Sequence, residues 1–141
     1  MERSKVSPDE HVASLPDGIR EDVEALDREI SKALASQERV LWEGVFWGGT
    51  AQRIIGYGAL KYVGRSGAAG EWFLVGLARQ KAYFSLYVNA SDGDGYLLRR
   101  FTDRLGKVKA GSAIVNFKRL SDLDLDGLRD LLQAVKATTG P

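Results

Sequence analysis

In the segment from Glu71 to Val88, EWFLVGLARQKAYFSLYV, two runs of strand-forming residues flank a short polar break. Aromatic and β-branched side chains suit a pleated, half-buried surface. Burial of each large one stabilises a fold by roughly 1.5 to 3 kcal/mol. The break at 78–80 is short enough to reverse the chain. We therefore expect an antiparallel hairpin at the centre of a sheet, with the other elements packed around it.

The second strand of this hairpin presents two different faces, since successive side chains in a strand point to opposite sides. Phe84 and Leu86 belong to the apolar face, which predicts the core. Tyr83, Ser85 and Tyr87 point the other way and are candidates for a partly wet, functional surface. The alternative is that these tyrosines only pack against cross-strand neighbours.

Helices are predicted on both sides of the sheet region. Ser7, Pro8 and Glu10 form a capping box with proline at the first helical position, which predicts a short helix. Apolar residues at spacings of three and four predict a longer helix after it. Asp124 is a candidate N-cap for a last helix with a similar stripe. The predicted helices cover 8–14, 18–35 and the segment that follows Asp124.

The segment between the helices reads as short strands separated by glycine-rich turns. Besides the hairpin, strands are predicted over 41–46, 53–57, 60–64 and 112–118, and a short helix over 96–105. The fold class is thus α+β, an antiparallel sheet of about five to six strands packed with N- and C-terminal helices. We expect a single domain over 1–141, in which 1–16 is an N-terminal arm with a short helix and 137–141 is a frayed tail.

Composition narrows the classes of protein. The 141 residues are 44% hydrophobic with short apolar runs only, which predicts no membrane span and no membrane partner. The N-terminus lacks the apolar core of a signal peptide, so we expect a cytoplasmic location. There is no cysteine and only one histidine, His11. Catalysis by a thiolate is therefore excluded, and catalysis by an imidazole would depend on His11 alone. We expect no enzyme activity and no cofactor.

Charge is segregated along the chain although the net charge is only +1. Residues 1–40 hold 10 acids and 6 bases, residues 41–120 hold 5 and 12, and residues 121–141 hold 4 and 2. The resulting sums are −4, +7 and −2. A basic sheet region favours an anionic ligand. The alternative is that acidic helices and basic sheet neutralise each other across their contact.

A basic and aromatic set is the best candidate for a binding site. Lys107 and Lys109 lie in a loop bounded by Gly106 and Gly111, where backbone amides and ammonium groups could hold a phosphate or carboxylate. The candidate ligand-binding residues are Trp47, Tyr57, Lys81, Tyr87, Lys107 and Lys109, with Lys118 and Arg119 nearby in sequence. A solvated basic rim is the alternative.

Nucleic acid is not expected, because the net charge is small and no aromatic reader motif is present. No metal site is predicted, since Asp92-Gly-Asp94-Gly95 lacks the other ligands of a calcium loop.

The run from Arg53 to Val88, together with the run from Arg104 to Leu132, resembles the YdhG-like family of bacterial domains of unknown function. The matching positions are Trp47-Gly48, Gly56-Tyr57-Gly58, Tyr62, Ser66-Gly67, Gly70-Glu71, Gly76, Lys81, Leu86-Tyr87, Leu105-Gly106-Lys107, Lys109, Gly111 and Lys118-Arg119-Leu120. The resemblance implies an α+β fold with an antiparallel sheet covered by helices. Some members are described as frataxin-like intracellular iron chaperones.

Several positions depart from the family pattern. Charged residues are usual in the family where this chain has Ala68 and Ala69, and a Pro-Arg pair where it has Arg79 and Gln80. His, Lys and often Cys are usual at the positions of Val108, Ser112 and Ile114. If the family site uses those groups, this chain binds something different, binds weakly, or relies on the remaining lysines.

Three hypotheses for function follow. The first is a non-enzymatic domain that binds a small molecule or anion, with the aromatic candidates and Lys81 near a pocket and Lys107 and Lys109 at its mouth. The second, implied by the resemblance, is an iron chaperone that uses Glu21, Asp22 and Glu24 as oxygen ligands. The third is a protein-protein interaction module that forms a homodimer.

Overall fold

The structure is a computed structural model that describes residues 2–45, 51–63, 69–93 and 95–139. Three α-helices, seven strands and three short 3-10 turns follow one another within these ranges. In chain order they are β1 (Glu2–Arg3), α1 (Pro8–Ala13), α2 (Ile19–Ala33), β2 (Arg39–Val45), β3 (Ala51–Val63), β4 (Ala69–Arg79), β5 (Phe84–Val88), 3-10 turns at Leu97–Arg100 and Thr102–Arg104, β6 (Lys109–Ala110), β7 (Ile114–Phe117), a 3-10 turn at Leu120–Asp122, and α3 (Leu125–Thr138). None of the described helices is long and apolar enough to span a bilayer.

All seven strands form one antiparallel sheet in the order β1-β2-β3-β4-β5-β7-β6. The β4–β5 hairpin occupies the middle of this order, so the α+β class and the central antiparallel hairpin are confirmed. The predicted number of five to six strands is too low. The additional strands β1 and β6 have two residues each at the two edges, and such short pieces carry no alternating pattern by which they could be recognised.

The helices cover one face of the sheet and enclose the main core. Leu26 and Ile30 of α2, and Leu128 and Leu132 of α3, are buried there against sheet residues such as Leu86. Both predicted caps are present. The Ser7 hydroxyl accepts a 3.1 Å hydrogen bond from the backbone N–H of Glu10, and Asp124 accepts from the N–H groups of residues 126 and 127.

The opposite face, called here the second face, has its own smaller cluster of buried residues. Its members come from the strands alone: Trp42, Ile54, Phe73, Ala78 and Tyr87, with Val40, Trp72 and Ile114 packed against them. The aromatic rings contact one another, with 4.4 Å between the ring centres of Trp72 and Phe73. The predicted division of β5 into two faces is confirmed, because Phe84 and Leu86 join the helix-side core while Tyr87 joins the second face.

Gly56 and Gly58 do not break the chain into two short strands, which corrects the predicted boundaries at 57 and 60. Gly56 lies directly opposite Gly76 within the continuous β3–β4 ladder. A Cβ on Gly56 would lie 2.6 Å from Trp42, and a Cβ on Gly76 would lie 2.5 Å from the Phe73 ring. The two glycines are therefore part of the sheet, where they leave room for aromatic rings to lie across the strands.

Two other predicted boundaries also change. The hairpin turn lies at 80–83 and not at 78–80, because Ala78 and Arg79 still pair with Ser85 and Phe84. The N–H of Gln80 donates to the carbonyl of Tyr83 at 2.8 Å, which closes the turn. The predicted helix over 96–105 is replaced by two 3-10 turns, although Leu97, Leu98 and Leu105 are buried as expected.

Candidate functional site

A groove of about 600 Å³ lies at the β6 edge of the sheet. It is lined by Tyr83, Gly106, Lys107, Val108, Lys109, Asn116, Phe117, Lys118 and Asp122. Pairing across three strands creates part of this wall, since Lys109 of β6 lies opposite Asn116 of β7, which lies opposite Ser85 of β5. Directly opposed residues share one face of a sheet. The groove therefore lies at the edge of the sheet, lined by Lys109 and Asn116, which share one face, and by Val108 and Phe117, which pack with the helix-side core.

The segment that carries two of the lysines is held to the chain before α3. The N–H of Lys107 donates to the carbonyl of Asp122 at 2.8 Å, and the N–H of Asp124 donates to the carbonyl of Leu105 at 2.8 Å. Gly106 between these contacts has a φ of 91°. A Cβ there would lie 2.3 Å from the Asp122 carbonyl oxygen, so only glycine permits this close approach. Lys107 and Lys109 are therefore carried by an anchored backbone.

The groove is positively charged. Three lysines and one aspartate line it, which gives a formal charge of +2. Lys107, Lys109 and Lys118 are all exposed. None of the three takes part in an ion pair with another described residue, whereas the described arginines at 3, 39 and 129 do. The uncompensated ammonium groups make an anion the favoured kind of ligand.

Asn116 adds an oriented amide to this groove. The hydroxyl of Ser85, which is 1% exposed, donates a 2.7 Å hydrogen bond to Asn116 Oδ1. Ser85 is in turn 3.4 Å from the amide nitrogen of Gln80, which donates to Gln52 at 2.9 Å. The Asn116 NH2 group has no acceptor among the described residues. It is therefore available to a ligand in the groove.

The six candidate residues do not come together in one place. Lys107 and Lys109 line the groove, joined by Lys118. Lys81 is exposed in the β4–β5 turn and lies outside the groove lining, and Arg119 is likewise exposed outside it. Trp47 lies outside the described residues.

Tyr57 and Tyr87 lie on opposite faces of the sheet and therefore cannot line a common pocket. Tyr87 is 8% exposed, with its ring centre 5.7 Å from that of Phe73. Burial raises its pKa, and the neighbouring Tyr83 raises it further. Tyr87 thus packs within the second-face cluster, as the alternative interpretation of these tyrosines expected.

Tyr57 belongs to a charged network under the helices. It is 2% exposed, and its hydroxyl donates to Asp27 Oδ1 at 2.5 Å. Burial raises the pKa of Tyr57 well above its usual value, and the negative charge of Asp27 adds to this. Arg39 donates to both oxygens of Asp27 at 3.0 and 2.8 Å and to Asp9 at 2.9 Å. These ion pairs lie within the acidic segment 1–40, whereas the ion pair of Arg104 with Asp130 joins the basic segment to the acidic C-terminal one.

A second, charged cleft of about 490 Å³ lies beside this network, between α1 and α2. Its polar lining is Asp9, Arg20, Glu24, Asp27, Arg28 and Arg39. Of the carboxylates considered for iron, only Glu24 lines this cleft, while Glu21 and Asp22 do not. Within the described ranges, no three His, Cys, Asp or Glu side chains are grouped so that they could hold a metal ion.

Sequence reasoning missed Asn116, Val108 and Phe117 as parts of the groove. A partial signal for Asn116 was present, because it is a polar residue between the apolar Val115 and Phe117 in a strand. Its place beside Lys109 depends on β6, which was not predicted. Tyr83 was considered for the wet face of β5, and the structure places it in the groove wall.

The chain was compared with models of protein families, with curated proteins and with solved structures, and none of the three comparisons gave a match.

Proposed function

We propose that this chain is a non-enzymatic domain that binds a small anionic ligand in the groove of Lys107, Lys109 and Lys118. The observation that carries the proposal is the convergence of three lysines, none of them ion-paired with a described residue, on one groove with a formal charge of +2. In the sequence, Lys118 is separated from Lys109 by strand β7. The pairing of β6 with β7 is what brings the three ammonium groups into one groove.

The positive charge of the three lysines favours anion binding in the groove over anion binding at neighbouring parts of the surface. Each ammonium group is a compact charge with three donors that can follow a phosphate or carboxylate. An exposed contact of this kind contributes on the order of 1 kcal/mol. Three such contacts contribute about 3 kcal/mol in total, and because association itself costs free energy, the lysines alone support binding no tighter than the millimolar range.

The chemistry of the lining favours binding over catalysis. Among the described residues of the groove, the side chains are lysines, an amide, a phenol, apolar groups and one carboxylate, Asp122. A base and a nucleophile joined by a hydrogen bond would indicate covalent chemistry. The oriented amide of Asn116 and the anchored lysines instead support recognition of a ligand.

Calorimetric titration with pyrophosphate tests the proposal directly. Wild-type protein is compared with the double variant Lys107→Gln/Lys109→Gln and with the control Lys81→Gln/Lys136→Gln, which removes the same charge from exposed positions outside the groove. We expect the groove variant to lose roughly tenfold to thirtyfold in affinity, from two contacts of about 1 kcal/mol each. The control should bind like the wild type.

The salt dependence provides a second measurement. Binding by exposed charges weakens as ionic strength rises, because the Debye length falls from about 10 Å at 0.1 M to about 3 Å at 1 M.

No heat with pyrophosphate, phosphate or citrate at low salt would overturn the proposal. Equal losses in the groove and control variants would also overturn it, since they would indicate non-specific attraction.

We also propose that the chain is a divergent relative of the YdhG-like domains. Four of the positions that carry the resemblance, Gly106, Lys107, Lys109 and Lys118, line the groove. The positions of Val108 and Ile114, where the family usually has polar groups, are apolar here. This combination supports an anion site that relies on the lysines remaining in this chain. The iron-chaperone alternative has no comparable support among the described carboxylates.

A further inference from the structure

We infer that the ligand of the groove combines its phosphate with a flat aromatic ring, as a mononucleotide does, and that Tyr83 is the residue on which the ring stacks. This inference rests on the proposed function of the groove and narrows it to one class of anion. Three observations carry it. They are the exposed ring of Tyr83, the NH2 group of Asn116, which has no acceptor among the described residues, and the volume and apolar lining of the groove.

Tyr83 is one of two exposed aromatic side chains among the described residues. Tyr83 and Tyr96, at 39% and 43% exposure, are the exposed large hydrophobic side chains of the described chain. Of the two, only Tyr83 lines the groove. The hydrogen bond from Gln80 N–H to the Tyr83 carbonyl holds its backbone in the turn. A ring presented in this way, beside lysines, matches the combination of stacking platform and cationic groove by which nucleotides are bound.

Asn116 supplies donors suited to a base. Because its oxygen accepts from Ser85, its NH2 group is left to donate. Ring nitrogens and carbonyl oxygens of bases accept hydrogen bonds from amide NH2 groups. Asn116 lies directly opposite Lys109 across the β6–β7 ladder. Their Cβ atoms are therefore about 5 Å apart, so one ligand can reach both the amide and the ammonium group.

The groove is larger than a bare phosphate requires. Its volume of about 600 Å³ falls within the range of roughly 300 to 1,000 Å³ typical of small-molecule sites. Part of its lining comes from Val108 and Phe117, the latter 2% exposed. Apolar lining beside lysines gives a phosphorylated ring more to contact than it gives an inorganic ion.

The experiment is a calorimetric series with inorganic phosphate, ribose 5-phosphate, adenosine 5′-monophosphate and adenosine. It uses wild-type protein, Tyr83→Ala and Tyr83→Leu, with Tyr96→Ala as the matched control, since Tyr96 is the other exposed tyrosine among the described residues. We expect the monophosphate to bind roughly tenfold more tightly than ribose 5-phosphate, which is the effect of one stacked base. Tyr83→Ala should abolish this difference, Tyr83→Leu should abolish most of it, and Tyr96→Ala should retain it.

Each outcome bears on one proposal or on both. Equal affinity for ribose 5-phosphate and the monophosphate would overturn the aromatic ligand while the anion site stands. So would a difference that survives in both Tyr83 variants. Binding of adenosine 5′-monophosphate that is unaffected by Lys107→Gln/Lys109→Gln would overturn the combined recognition of ring and phosphate. If neither the phosphates nor adenosine binds, both this inference and the proposed function fail.

Discussion

The phenol of Tyr57 donates a 2.5 Å hydrogen bond to Oδ1 of Asp27, which joins the interior of β3 to the middle of α2. Arg39 of β2 donates to both oxygens of the same carboxylate. Asp27 thus links two strands to one helix through a side chain that is 18% exposed. A residue expected to bind ligand is instead part of the connection between the two layers.

Replacement of this phenol tests that role. Tyr57→Phe keeps the ring in the core and removes the donor to the carboxylate. We expect a loss of about 1.5 to 3 kcal/mol in the free energy of unfolding, as for a hydrogen bond to a charged group. Urea denaturation measures it, and Tyr96→Phe, at an exposed ring, is the control with no expected change. A Tyr57→Phe variant as stable as wild type would contradict the structural role.

The single histidine predicts a pH dependence of stability. Burial lowers the pKa of His11 below its usual value of 6.5, and the positive charge of Arg53 lowers it further, against the opposing effect of Glu43. The unfolded chain therefore binds the proton first as pH falls. The stability contributed by neutral His11 is complete above pH 6.5 and is lost as pH falls from there through the folded-state pKa.

His11→Gln isolates this effect, because no other histidine is present. Urea midpoints of the wild type and the variant are compared at intervals from pH 8 to pH 5. The wild type should lose more stability than the variant below pH 6.5, and the two should run parallel above it. Parallel curves over the whole range would show that His11 has the same pKa in both states.

The glycine pair of the central sheet predicts an overpacking penalty. A methyl group on Gly76 would lie 2.5 Å from Cε1 of Phe73 and 2.8 Å from Cγ2 of Ile54. We expect Gly76→Ala to destabilise the fold by about 1 to 3 kcal/mol, measured by urea denaturation. In a Phe73→Leu background the penalty should shrink, giving a coupling of at least about 0.5 kcal/mol. Additive effects of the two substitutions on the free energy of unfolding would show that the Phe73 ring does not occupy the space next to Gly76.

The cap of α3 predicts a smaller, local effect. Asp124 accepts hydrogen bonds from the N–H groups of Asp126 and Gly127 at 3.0 and 3.1 Å. Asp124→Ala should cost about 1 kcal/mol. Asp126→Ala is the charge-matched control, since its 92%-exposed side chain makes only a surface ion pair with Arg129. Thermal unfolding of both variants should separate the cap from the general effect of removing a negative charge near the helix start.

Some residues of the candidate site can be identified from the sequence, and others cannot. Lys107 and Lys109 were identified because a glycine-bounded pair of lysines is visible in a few consecutive residues. Tyr57 and Tyr87 were grouped with them although they lie on opposite faces of the sheet. Tyr57 differs from a ligand-facing tyrosine through its burial in the helix-side core and its contact with Asp27, 30 residues earlier in the chain. No local pattern records that contact.

Elements with local causes can be derived from the amino-acid sequence. Apolar spacing and the Ser7 and Asp124 caps specify the helices, and the alternation along β5 specifies its two faces, because these signals arise within one or two turns or strands. Strand pairing in the folded chain, by contrast, places Gly56 opposite Gly76 inside long strands and puts Lys109, Asn116 and Ser85 in one row. Those relationships depend on the register between strands, which is set by packing between residues far apart in the chain.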